Sequence, residues 1–304
     1  MAVSLSQIKS ELLPGLFDVR GSYDMIPRQW DKVFTTHNSN MAVERSTQMR
    51  FTGLPQLKNE GGATAFDNSA GERFTWNFEH QEIALGYAIT RKAIDDNLYK
   101  AQFNPTNLKL QEAFAQFKEI QGANILNNAT TAATGVGGDG KAMCATDHPY
   151  DGGTWANTFS VALDLNESSL LQGMINTRTG FVNEAGLKVL ARARRLVVPP
   201  ALEPQAIRLT KTELRPGTAN NDVNAILTTS GGLPEGYIVL DFLTSAVAWY
   251  LTTNIEGLIH MSRIPYEMDM QVDFITDNLL VKGYERYSFG YNDPRAIWGS
   301  FPSS

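Results

Sequence analysis

Apolar and polar residues alternate most clearly at two places in the chain. In Phe74-Thr75-Trp76-Asn77-Phe78-Glu79, three large aromatics take every second position, which predicts a strand with one apolar face. Tyr266, Met268, Met270, Val272 and Phe274 alternate in the same way with Glu267, Asp269, Gln271 and Asp273. That predicts a long strand with one wet, acidic face. Leu279 to Tyr291 reads as its partner, and Ile275-Thr276-Asp277-Asn278 between them has hairpin-turn chemistry. The first alternation belongs to a longer stretch, Arg50 to Ala88, which reads as two strand-like arms around a polar, glycine-rich middle from Lys58 to Glu72. A lone two-stranded hairpin is marginal in water. If this arm projects, Phe74, Trp76 and Phe78 need a covering surface, and a second copy of the chain is the expected source.

Helical spacing is clearest after Phe103. Asn104 suits an N-cap and Pro105 the first helical position. Leu110, Ala113, Phe114, Phe117 and Ile120, continued by Gln121, then form one stripe. The pattern runs to about Asn128, roughly 36 Å at 1.5 Å per residue, and a flexible loop with Gly135, Gly137, Gly138 and Gly140 ends it. A second helix reads from Asn166 as cap to Gly180 as stop. Arg195 to Val198 is a short buried strand halted by Pro199-Pro200, Ala201 to Leu214 reads as helical, and Tyr237 to Asp241 as a strand. Asn220 to Asp222 and Gly231-Gly232 are loop signals. Near the start, Ile8, Leu12 and Leu13 give a short helical pattern before Pro14-Gly15, and polar residues dominate Thr35 to Ser46. The predicted class is α+β.

Bulk composition narrows the function. The 304 residues are 42% hydrophobic and 19% charged, with a net charge of −6, an ordinary globular balance. A sequence pI near 5.3 lacks the basic footprint of a nucleic-acid reader; the basic run Arg192 to Arg195 leads into a strand. The single cysteine, Cys144, excludes an intrachain disulfide. Met1 to Gln7 lacks the blocks of a signal peptide, and Tyr237 to Leu251 is interrupted by Asp241, Thr244 and Ser245. A soluble, cytoplasmic product without membrane contact is expected.

Candidate chemistry is sparse. His37, His80, His148 and His260 lie far apart, without ligand spacing for a metal. Cys144 and His148 could form a nucleophile–base pair, but such a pair also needs an orienting third group and an oxyanion hole. Gly135 and Gly140-Lys141 have the spacing of a phosphate loop, yet Ala142 stands where Ser or Thr is required and a helix precedes the loop instead of following it. Asp95 and Asp96 are adjacent and would not face each other on a helix. No catalytic, metal or cofactor site is expected, and the chain reads as a structural or binding protein.

Four segments carry a family resemblance: Met143-Cys-Ala-Thr-Asp-His-Pro-Tyr-Asp-Gly-Gly-Thr-Trp-Ala-Asn157, Leu196-Val-Val-Pro-Pro-Ala-Leu-Glu203, Ile89 to Tyr99, and Glu285 to Ile297. In order and spacing they resemble the major head subunits of Mu-like tailed phages. The resemblance covers most of the chain from about residue 45 and implies the Hong Kong 97-type capsid fold. It implies an N-arm over residues 1–45, an extended E-loop over 46–92, and a peripheral (P) domain over 93–184 with a spine helix at 104–128. A central axial (A) domain would span 185–261, and 262–304 would return to the P domain. The implied function is a self-assembling icosahedral shell of hexamers and pentamers around phage DNA, held without sequence-specific contact. Separate scaffolding and portal proteins would be partners, and assembly would take place in the host cytoplasm. Phe66, Phe74, Trp76 and Phe78 are the expected intersubunit contacts. Lys58 lies in the E-loop, but nothing in the sequence identifies a crosslinking acceptor. A shell of the same fold enclosing protein cargo, of encapsulin type, is the alternative, followed by a cysteine hydrolase using Cys144 and His148.

Overall fold

The computed structural model describes residues 23–50, 54–64, 66, 71–96, 100–132, 138–213, 224, 226–227 and 232–303. The helical pattern around Leu12, Gly135 and Gly137 of the glycine loop, and the loop signals at 220–222 and Gly231 lie outside these residues.

Two four-stranded sheets organise the chain. The first has the order β1 (Thr35–Asn38), β10 (Leu258–Val272), β11 (Leu279–Tyr291), β4 (Gln81–Ile89). The β10–β11 hairpin pairs from Leu258↔Tyr291 to Val272↔Leu279, with bulges around Ile264, and β1 adds in parallel to the start of β10. The predicted alternation holds as far as Met270: Tyr266, Met268 and Met270 are buried, while Glu267, Asp269 and Gln271 are wet. Phe274 departs from it and stands exposed with Ile275 at the turn, because the ladder ends at Val272.

The second sheet has the order β12 (Ile297–Ser300), β9 (Trp249–Thr253), β7 (Ala193–Val198), β8 (Tyr237–Val239). The chain end therefore joins the strands of 193–253 and does not stay with the β10–β11 pair, so the expected 262–304 return segment divides between the two sheets. Helix α3 (Glu167–Thr179) and α4 (Glu203–Lys211) pack on this sheet around Trp249 and Trp298. Asn166 caps α3, as the sequence predicts, and the cap is completed by Ser169 in a reciprocal capping box.

A short helix α1 (Arg91–Asp95) leads to the long helix α2 (Lys100–Asn127). Asn104 is thus interior to α2 and not its cap, and Pro105 lies inside the helix. The buried stripe is also rotated from the expected one. It runs through Phe103, Asn107, Leu110, Phe114, Lys118, Gly122 and Leu126, leaving Ala113 and Phe117 exposed. Hydrophobic periodicity misses this stripe because some of its members are polar: Asn107 Oδ1 accepts from the Tyr87 hydroxyl, and Lys118 Nζ donates to Glu285 Oε2 at 2.6 Å.

The stretch read as one returning arm is two strands. β2 (Val43–Met49) pairs with β3 (Glu72–Glu79) as a separate hairpin, whereas β4 joins the first sheet. His80 makes the corner between β3 and β4, buried and hydrogen-bonded to Ser39 Oγ (2.8 Å) and Ser288 Oγ (3.0 Å).

Candidate functional site

The Cys144–His148 pair does not form. Cys144 is buried, and burial pushes its thiol well above the ordinary range, so a thiolate nucleophile is disfavoured. His148 engages other partners: Nδ1 lies 2.6 Å from Asp139 Oδ2 and Nε2 lies 3.1 Å from Asn157 Oδ1. Burial alone would raise Asp139, but the hydrogen bond and charge of His148, with the Lys141 backbone N–H, outweigh it and hold the carboxyl below its usual range. Among the described residues, no group of three or more His, Cys, Asp or Glu is placed to hold a metal.

The same residues form a structural lock. Asn157 Nδ2 donates to the carbonyls of Met143 (2.7 Å), Pro294 (3.0 Å) and Ile297 (3.2 Å), and its Oδ1 accepts from the Ala145 N–H at 2.8 Å. One buried amide therefore ties the 143–157 segment to the chain end. His148 stacks on Trp155 at 4.6 Å, and Trp155 meets Phe181 edge-on. The lock roots a small hairpin, β5 (His148–Tyr150) with β6 (Gly153–Trp155).

That small hairpin meets the outer end of the β2–β3 hairpin, where Arg73 reaches the Pro149 carbonyl and Asp151. Trp76 and Phe78 are 1% and 2% exposed and belong to one buried cluster with Trp30, Phe34, Leu126 and Tyr291 of the same chain. The sequence looks to a second copy for this cover, whereas in the single chain its own residues bury both rings. Two glycines make room. A Cβ on Gly138, at φ +84°, would come within 3.0 Å of the Trp76 ring, and one on Gly290 would sit 2.7 Å from Phe78 Cε1. Phe74 is partly buried beside the same cluster. Phe66 alone of the four expected contact residues is open, at 88% exposure, and Leu54 and Leu57 are exposed with it.

Polar groups continue the attachment at the outer end of the hairpin. Arg50 and Arg73 both meet Asp151, Arg73 also donates to the carbonyls of Glu184 and Pro149, and Gln48 donates to Glu184. Arg295 pairs with Glu184 at 3.0 Å and Asp293 at 2.8 Å. Sequence reasoning missed these residues; their only signal was that Arg50 and Arg73 bracket the polar middle of the arm.

A second attachment holds the start of the described chain on α2. Glu119 accepts the backbone N–H groups of Gln29 (2.7 Å) and Trp30 (3.1 Å), and Lys118 with Glu285 lies beneath Tyr23 and Tyr287. No described helix is long and apolar enough to cross a membrane.

A family model described as phage capsid protein matches residues 78–300. No curated protein is detectably similar in sequence. Among solved structures, the fold is similar to a virus-like particle subunit from Pyrococcus furiosus, with TM-score 0.57 and 11% identity over 96% of this chain and 100% of that one. It is similar to the capsid of a native GTA particle, with TM-score 0.56 and 14% identity over 90% of each chain. It is also similar to the procapsid of bacteriophage JBD30, with TM-score 0.52 and 13% identity over 99% of this chain and 77% of that one. At these identities the likeness is one of fold, the Hong Kong 97-type capsid fold.

Proposed function

The chain belongs to the phage capsid protein family, and from that premise we propose that it is the major head subunit, self-assembling into the icosahedral shell around a phage genome. The observation that carries the mechanism is that every described residue from 54 to 66 is exposed, with Leu54, Leu57 and Phe66 in solvent, beside a body with three buried clusters of its own. Assembly is then burial of this segment on a neighbouring copy, with many weak contacts adding through multivalency. Phe66 is the contact residue retained from the sequence reading. We assign the β2–β3 hairpin and the 50–71 segment to the E-loop, α2 with the first sheet to the P domain, and the second sheet with α3 and α4 to the A domain. Residues before β2 form the N-arm. Hexamers and pentamers, separate scaffolding and portal proteins, packaged DNA held without sequence readout, and assembly in the host cytoplasm complete the reading. Net charge of −6 suits a shell wall that must not grip DNA.

The test is replacement of residues 54–70 by a short Gly-Ser turn. The variant should stay soluble and folded, since Trp76 and Phe78 keep their cover, yet form no closed particles. Normal particles from it would contradict the role of the arm. A shell around protein cargo shares this fold, and family membership favours the phage head. Nucleic acid inside purified native particles supports the head, whereas an enclosed enzyme supports the compartment.

A further inference from the structure

We propose that Asp151 is a positioning residue for assembly: one carboxylate grips both strands of the β2–β3 hairpin at its outer end, and so fixes the direction in which the exposed residues 54–64 and 66 are presented. Arg50 directly follows β2, and Arg73 is the second residue of β3. The Arg50 N–H donates to the Gly71 carbonyl at 2.7 Å, the outermost rung among the described residues of the two strands. Arg50 Nη2 meets Asp151 Oδ2, and Arg73 Nη1 lies 3.4 Å from Asp151 Oδ1. Each oxygen of the carboxylate thus faces one arginine, and each arginine comes from a different strand. Beyond this point, every described residue from 54 to 66 is exposed.

Asp151 has a rigid footing. It sits in the β5–β6 turn, where its N–H donates to the Glu184 carbonyl at 3.0 Å. The root of that turn is His148, held by Asp139 and Asn157. The Thr-Asp-His-Pro…Asn segment, which performs no chemistry here, thereby acquires a purpose. It holds a carboxylate still at the place where the arm departs.

The exposure of the pair separates positioning from folding. Asp151 and Arg50 side chains are 37% and 41% exposed. Ion pairs at such exposure add little to fold stability and weaken with salt. A small bias on direction is repeated in every subunit, and a shell closes only if the arms point consistently. The deeper Glu184–Arg295 pair is more enclosed, and its loss would disturb the body itself.

The inference rests on the shell-subunit reading, and the experiment separates the two. Spin labels on L54C and R178C in the full chain report the arm-to-body distance by double electron–electron resonance on unassembled subunits; Cys144 is buried and stays unlabelled. Asp151→Asn should broaden the distance distribution at an unchanged thermal midpoint. Arg50→Gln should reproduce the broadening, and Asp151→Glu should largely restore the parent distribution. In assembly, Asp151→Asn should raise the protein concentration at which shells appear by about fivefold, the scale of one partly exposed ion pair. An unchanged distribution in Asp151→Asn overturns the proposal, and so does a lowered midpoint, which would make Asp151 a folding residue. If the parent chain forms no shells, the shell reading fails, while the distance measurement still decides the latch.

Discussion

Asn157 concentrates more structure in one side chain than any residue singled out for chemistry. Its Nδ2 serves three carbonyls and its Oδ1 accepts from Ala145 and lies against His148. Removing the amide strands several buried backbone groups at once, each costing about 1–3 kcal/mol. Asn157→Ala should therefore destabilise the chain by roughly 3–5 kcal/mol, read as a lower urea midpoint at unchanged slope. Asn157→Asp should not rescue it, because a carboxylate offers no donor to the three carbonyls. His260 gives a pH prediction. Burial, then the charges of Lys118 and Arg28, push it down to about 3. Its Nδ1 meets Thr36 Oγ1 at 3.3 Å, and its ring packs on Trp30 and Phe289. The folded-state value lies below the unfolded one, so the unfolded chain takes up the proton first as pH falls. Stability from this group is complete above about 6.5 and is lost progressively toward pH 3, by about 1.4 kcal/mol per unit. His80 is lowered in the same direction, chiefly by burial, whereas Glu119 and Glu285 are raised by burial and oppose the trend. Comparison with His260→Asn isolates the term: between pH 6.5 and 4.5 the wild type should lose about 2 kcal/mol more than the variant. Parallel pH profiles would contradict the neutral, buried imidazole.

At the scale of elements, periodicity serves best where one side of an element is uniformly apolar. β11 begins and ends at the residues its pattern gives, and α3 begins and ends at its cap and its glycine. Periodicity fails where burial is polar. On α2 the inward face includes Asn107, Gln111 and Lys118, so a hydrophobic stripe drawn from the sequence is rotated away from the true one. It fails again at His80, where a single buried side chain turns the chain from the hairpin into the first sheet, with no proline or glycine to announce the corner. The base of the β2–β3 hairpin was misread for a third reason. The alternation of Phe74, Trp76 and Phe78 shows that they need cover, but not whose. The cover comes from residues far along the chain, including the spaces opened by Gly138 and Gly290. Gly290→Ala should place a methyl against Phe78 and cost about 1–3 kcal/mol, measured by urea unfolding. Phe78→Leu in the same chain should recover part of the loss, and full additivity of the two changes would argue against the contact.

At the scale of the molecule, three buried clusters give the chain a core without a partner. Among the exposed apolar residues are Leu54, Leu57 and Phe66 in one stretch, and Phe274 and Ile275 at the β10–β11 turn. The fold class and the capsid family were legible in the sequence because the resembling segments keep their order along the chain. The candidate site was less legible, since the proposed docking arm has no catalytic signature and the proposed latch joins residues about a hundred positions apart, Arg50 with Asp151. Three clusters within one chain and an apolar stretch left in solvent fit a capsid subunit. Electron microscopy of the purified full-length chain tests this most directly. The account predicts closed icosahedral particles of uniform diameter; a population of dispersed monomers at every concentration and salt would contradict it.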